Sequence, residues 1–192
     1  MNNEELEKLK ELKTKQSLEK LKLKYDEELN NFGYNFVNIV KENDRYSYIE
    51  YKNTKGNDIR IWHDNLTGNT NAEMKIILPL ENEEKHYKHI SIKNLFEMLE
   101  SIEKRDFAFG EFTKNYEPLL NNLGFTSNKD FVQYYIYDAR YFYKDFENEN
   151  KNAVMRIWYD NKTGKFSADL SLNDKKYENL SMEELFSILN KW

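Results

Sequence analysis

The sequence predicts an α+β protein made of two tandem α-β-β-β-β-α repeats, each an antiparallel four-stranded sheet packed with helices, behind an N-terminal helical extension. Three observations carry this expectation. The stretch Ile59-Arg60-Ile61-Trp62-His63-Asp64-Asn65-Leu66-Thr67-Gly68 returns as Met155-Arg156-Ile157-Trp158-Tyr159-Asp160-Asn161-Lys162-Thr163-Gly164. Around each copy, apolar residues change from spacings of three and four, the mark of a helix buried on one face, to the alternation of strands. Each copy then closes on a polar N-cap followed by an apolar helical stripe. The boundaries that follow are 1–16 for the extension, 17–102 for the first repeat, 103–106 for a charged joint and 107–192 for the second repeat.

Leu6, Leu9 and Leu12 give the extension one apolar edge. From Ser17 the stripe changes phase, and Leu18, Leu21, Tyr25 and Leu29 follow at the spacing of a one-sided helix. Gly33 is placed to end that helix in the left-handed conformation, with Tyr34 folding back on the last turn. Phe109, Phe112, Tyr116 and Leu120 repeat the stripe, and Asn121 to Phe125 repeats the stop. Pro118 interrupts this second helix, because it lacks an N–H and clashes one turn back, so a kink or restart is expected there.

Four strands are expected in each copy: Phe36 to Val40, Tyr46 to Tyr51, the Arg-Trp stretch and Ala72 to Leu78, then Phe131 to Tyr135, Tyr141 to Phe146, the second Arg-Trp stretch and Ala168 to Leu172. Within the Arg-Trp strand Ile59, Ile61 and His63 share one side while Arg60, Trp62 and Asp64 share the other. Asp64 to Gly68 and Asp160 to Gly164 read as hairpin turns, with an Asp to accept backbone amides and a Gly for a left-handed position. The closing helices carry Ile92, Leu95, Phe96, Leu99 and Ile102 after Ser91, and Met182, Leu185, Phe186, Leu189 and Trp192 after Ser181, whose Glu184 completes a capping box.

Composition excludes several chemistries. There is no Cys, so disulfides, thiolate metal sites and a Cys nucleophile are ruled out. The net charge of −5 comes from interspersed Lys and Glu, which argues against a duplex-DNA binder relying on phosphate neutralisation. Mean hydropathy is −0.93, no apolar run reaches bilayer length, and the N-terminus has no signal pattern, so a cytoplasmic protein that does not enter membranes is expected. The six Gly are scattered and form no phosphate-binding loop. His86-Tyr87-Lys88-His89 has a spacing seen in metal sites, but no further ligands are nominated, so it reads as a solvated loop. No catalytic residue, metal or cofactor is expected.

The expected partner-binding set is Arg45, Tyr46, Tyr48, Arg60 and Trp62 with Arg140, Tyr141, Tyr143, Arg156 and Trp158. Arg, Trp and Tyr dominate binding hot spots, and both copies keep them. The competing reading makes the Trp residues core and pairs the Arg residues with Asp64, Asp160 or carboxylates nearby. Paired carboxylates, Asp64 with Asp160 or Glu50 with Asp145, are the remaining acid-base candidates, although turns explain the first pair more simply. The expectation is therefore a non-catalytic protein-binding inhibitor or adaptor, such as a phage or mobile-element protein that blocks a host defence nuclease. The alternative is a nucleotide or single-stranded nucleic-acid binder using an aromatic and Arg platform. The N-terminal helix offers a contact for a homodimer through its leucines.

Overall fold

The computed structural model describes residues 3–78, 83–133, 140–173 and 175–192. The chain divides into two compact units, Met1–Leu99 and Glu100–Trp192. The class is α+β, with an antiparallel sheet in each unit.

In the first unit α1 spans Asn3–Asn31 and is followed by β1 (Asn35–Lys41), β2 (Tyr46–Lys52), β3 (Asp58–Asp64), β4 (Thr70–Leu78) and β5 (Glu83–Ile90). The strands form a meander in sequence order, each antiparallel to the next. α2 (Ile92–Asn115) supplies residues to both units. The second unit continues with α3 (Glu117–Asn122), β6 (Val132–Gln133), β7 (Tyr141–Asn148), β8 (Ala153–Asp160), β9 (Lys165–Leu172), β10 (Lys175–Ser181) and α4 (Met182–Leu189). Its sheet runs β6 to β10, again as a meander.

One face of each sheet is core. In the first unit Ile49, Tyr51, Ile59, Ile61 and Met74 are fully buried, together with Leu18, Leu29, Leu95 and Leu99 from the helices. In the second unit Phe146, Met155, Ile157, Ala168 and Leu170 pack with Phe112, Leu120, Leu185 and Leu189. Large rings fill much of this space: Phe109 stacks on Phe131 with centroids 4.3 Å apart, and Phe112 meets Phe131 edge-on at 5.1 Å. Such pairs add to plain area burial.

Several expectations about local chemistry are met. Gly33 and Gly124 end their helices at φ 79° and 85°, and the amides of Tyr34 and Phe125 donate to the carbonyls of Leu29 and Leu120. The helix of the second unit stops at Asn115 and restarts as α3 with Pro118 in its first turn. At α4 the Ser181 hydroxyl accepts the Glu184 amide, while the Glu184 carboxylate accepts the Ser181 amide.

Four expectations need correction. Each sheet has five strands, not four, because β5 and β10 pair on as edge strands. The segment His86 to His89, expected as a solvated loop, lies in β5. Both edge strands carry a bulge, with His89 and Asn179 at φ 54° and 55°, so the inward residues fall three apart (Tyr87 and Ile90, Tyr177 and Leu180) rather than two. Strand alternation is thereby erased. The joint Glu103 to Asp106 is helical and sits inside α2, as befits four good or neutral helix formers without Gly or Pro. The extension is not a separate element either: α1 is one helix from Asn3 to Asn31, and the phase change at Ser17 does not break it. The remainder of the strand expected at Phe131 to Tyr135, including Tyr134 and Tyr135, lies outside the described residues.

Candidate binding face

The turns between the third and fourth strands set the register of everything beside them. Asp64 Oδ1 accepts the amides of Leu66 and Thr67 at 2.9 and 3.2 Å, and the Gly68 amide closes back on the Asp64 carbonyl. Arg45, from the loop before β2, donates Nε and Nη2 to Asp64 Oδ2, while its own carbonyl accepts the Asn65 amide. The second unit repeats the arrangement with Asp160, Lys162, Gly164, Arg140 and Asn161. Burial alone would raise the Asp64 carboxyl, but the Leu66 and Thr67 amides and the Arg45 guanidinium hold it down at about 2. Asp160 lies at about 2 chiefly through Arg140.

Register then places the predicted residues side by side on the face away from the core. On the first sheet Tyr48 lies opposite Trp62 and Glu50 opposite Arg60, and across the next strand pair Trp62 faces Asn71 and Arg60 faces Glu73. On the second sheet Tyr143 lies opposite Trp158 and Asp145 opposite Arg156, with Ser167 and Asp169 beyond. So each face holds an aromatic pair next to an Arg flanked by two carboxylates.

The rings touch. Tyr48 and Trp62 have centroids 4.6 Å apart and tilted by 50°, and Tyr143 and Trp158 are 5.6 Å apart and tilted by 52°. Arg60 lies over the Tyr48 ring at 4.9 Å, and Arg156 over Tyr143 at 4.1 Å and Trp158 at 5.4 Å. Arg45 and Arg140 cover Tyr46 and Tyr141 in the same way. Trp62, Trp158, Tyr141 and Tyr143 are half-buried, Tyr46 is exposed and Tyr48 is buried under its neighbours. The expected set is therefore on the outer faces, within its own hydrogen-bonding lattice.

The two faces differ in detail. Arg156 makes a bidentate pair with Asp145, at 2.7 and 2.9 Å, whereas Arg60 approaches Glu50 at 3.8 Å. Trp158 Nε1 donates to Asp169 at 2.7 Å, and the other oxygen of Asp169 accepts the amide of the bulge residue Asn179. Trp62 Nε1 is buried without an acceptor. On the second sheet the outer face also opens a groove of about 320 Å³ along Asp145, Glu147, Val154, Arg156, Asp169 and Lys176.

Reading the sequence did not single out Glu73, Asp169 or Val154 as members of this face. The signal was present for the first two, because a hairpin turn fixes which residue of the fourth strand lies opposite Arg60 or Arg156. His63 points to the core side, where it is buried and its pKa is lowered by that burial. His86 lies across from Lys75 and its Nε2 is 3.7 Å from Glu73. Among the described residues no group of three His, Asp or Glu side chains is placed to hold a metal. The carboxylates expected as acid-base candidates are each engaged by Arg: Asp64 and Asp160 in turns, Glu50 and Asp145 on the sheets. Among the described residues no helix is long and apolar enough to cross a membrane. No known family model, curated protein or solved structure matches the chain.

Proposed function

We propose that this protein acts without catalysis, binding another protein through the outer faces of its sheets in the manner of an inhibitor or adaptor. The observation that carries the reading is the Tyr-Trp pair capped by Arg on both sheets, with Trp62, Tyr143 and Trp158 half-buried, Tyr48 buried beside Trp62, and the rings packed by cross-strand contacts. Rigid aromatic and Arg side chains lose little conformational freedom on binding, which is why they anchor protein interfaces. The groove beside Arg156 and Val154 adds a recess in which a partner side chain can be enclosed.

We also read the two units as an internal duplication. The recurring Arg-Trp stretch, the shared order of helix, five-strand meander and helix, and the matched Arg-Asp turns support this. A cytoplasmic setting, and a role such as a phage-encoded block on a host defence nuclease, belong to the same proposal and rest on composition.

Stacking of unpaired bases on the same rings is the second reading, favoured by the Arg planes over Tyr48 and Tyr143. The flanking carboxylates oppose it. Glu50 and Glu73 beside Arg60, and Asp145 and Asp169 beside Arg156, cancel the positive charge that a phosphate backbone requires.

The test compares immobilised wild type with an Arg60→Glu/Arg156→Glu variant in a host lysate, after circular dichroism shows both folded. A protein retained by wild type and absent from the variant supports the reading. Equal eluates defeat it, and nucleic acid lost from the variant, with steep salt dependence, transfers the face to the second reading.

A further inference from the structure

One cross-strand row on the outer face of the second sheet departs from its counterpart in the first. It crosses β8 two residues before Arg156, and register sets Glu147 beside Val154, Val154 beside Ser171 and Ser171 beside Lys176. The row that crosses β3 two residues before Arg60 reads Lys52, Asp58, Lys75 and His86. That first-sheet row is filled by long charged side chains and tied down, with Lys75 paired to Glu84 at 2.6 Å and Lys52 3.5 Å from Glu50. In the second sheet the two middle residues are short, and the groove of about 320 Å³ lies over them.

The groove has an apolar floor and charged walls. Val154 is 54% exposed. The walls set four carboxylates, Asp145, Glu147, Asp169 and Glu178, against two cations, Arg156 and Lys176, an excess of two negative charges. Two of the carboxylates are already engaged: Asp145 holds Arg156, and Asp169 accepts the Trp158 indole and the Asn179 amide. Glu147 and Glu178 form no ion pair among the described residues. Lys176 stands at the other end of the row from Glu147, with β8 and β9 between them. An apolar floor beside an uncompensated carboxylate suits a side chain with a methylene stem and a cationic head. A purely apolar group would desolvate Glu147 without giving it a partner, and an anionic one would be repelled.

We propose, on the footing of the sheet faces as a partner-binding surface, that this groove receives one arginine or lysine side chain of the partner protein, its stem on Val154 and its head at Glu147. Val154 and Ser171 make the room. Glu147, standing where the first sheet has Lys52, sets the preference for positive charge.

The probe is N-acetyl-arginine methylamide, titrated into the full chain and followed by two-dimensional amide NMR. Saturable shifts at Val154 and Ser171, with a millimolar Kd, are expected while the amides of Asp58 and Lys75 stay in place. The citrulline analogue keeps the shape without the charge and should bind about fivefold more weakly; Glu147→Lys should weaken arginine binding at least as much. Val154→Asp/Ser171→Lys installs the residues of the first sheet and should abolish saturation. All three positions lie on the outer face, so circular dichroism should show both variants folded. Equal binding of the citrulline analogue to wild type overturns the proposal, as does arginine binding unchanged in either variant or tighter binding of N-acetyl-glutamate methylamide. A titration without saturable shifts overturns it too, and leaves the wider reading of the sheet faces to be decided by the lysate comparison with Arg60→Glu/Arg156→Glu.

Discussion

Arg140 holds Asp160 through both arms of its guanidinium, with Nε 3.1 Å from one carboxylate oxygen and Nη2 3.0 Å from the other. Arg45 holds Asp64 with the same two nitrogens, both at 3.1 Å from one oxygen. Each Asp also organises the turn on which strand register depends, so these pairs position the whole outer face.

Both carboxyls lie at about 2, below their ordinary value of 3.8. The folded state therefore favours the ionised form. The stability this contributes is complete above pH 3.8 and is lost as the pH falls toward 2. Thermal midpoints taken between pH 5 and 2 should decline over that window, and Asp64→Asn/Asp160→Asn should start lower and decline less. A variant with the wild-type slope would show that other carboxylates dominate acid unfolding.

A second titration lies at higher pH. His63 is buried on the core face, Nδ1 has no hydrogen-bond partner, and burial lowers its pKa below 6.5. The unfolded chain takes up this proton first, so stability is intact above pH 6.5 and is lost as the pH drops below it and through the lower folded value. The loss is about 1.4 kcal/mol for each unit separating the two values. Urea unfolding of wild type and His63→Tyr, which copies the buried Tyr159, should converge at low pH only if His63 is the titrating group; parallel curves from pH 7.5 to 5 would refute this.

Legibility followed periodicity. The β3 and β8 stretches alternate strictly because one face is core and the other polar, and their turns carry side chains with a single local use, so fold class, hairpins and the outer Arg-Trp set could be read directly. The edge strands could not: a left-handed His89 or Asn179 shifts the inward positions by one, and Lys and Glu fill the rest. The continuity of α2 was hidden for another reason, since charged residues at Glu103 to Asp106 are equally at home in a linker and on a solvated helix face. Hydrogen-bond partners such as Asp169 depend on register and bulge together. The buried pair of Lys144 and Glu117 left no periodic trace, because Lys144 occupies a position where the first unit has Ile49.

Lys144 lies on the core face of β7, buried, and bonds to Glu117 at the start of α3; Asp130 approaches at 3.8 Å from an exposed site. Removing one partner leaves a desolvated charge, while removing both with similar volume is close to neutral. Glu117→Leu should cost about 3 kcal/mol, and Lys144→Met/Glu117→Leu should recover most of that in denaturant titrations. An additive double mutant would mean that Asp130 or water already compensates Lys144.

The two tryptophans separate scaffold from binding. Trp158→Phe removes the bond to Asp169, which itself ties down Asn179 on the edge strand, and should cost about 1 kcal/mol. Trp62→Phe removes a buried N–H that has no acceptor, so its stability should be unchanged or slightly higher. Arg156→Ala breaks a half-exposed pair with Asp145 and should cost under about 1 kcal/mol. Differential scanning calorimetry on the three variants ranks them. With Trp62→Phe and Arg156→Ala both folded, any partner they fail to hold has been lost through the face and not through the fold; if instead Trp62→Phe unfolds as readily as Trp158→Phe, the indole of Trp62 is chiefly a packing element of the first sheet, and the anchors of that sheet reduce to Tyr46 and Arg60.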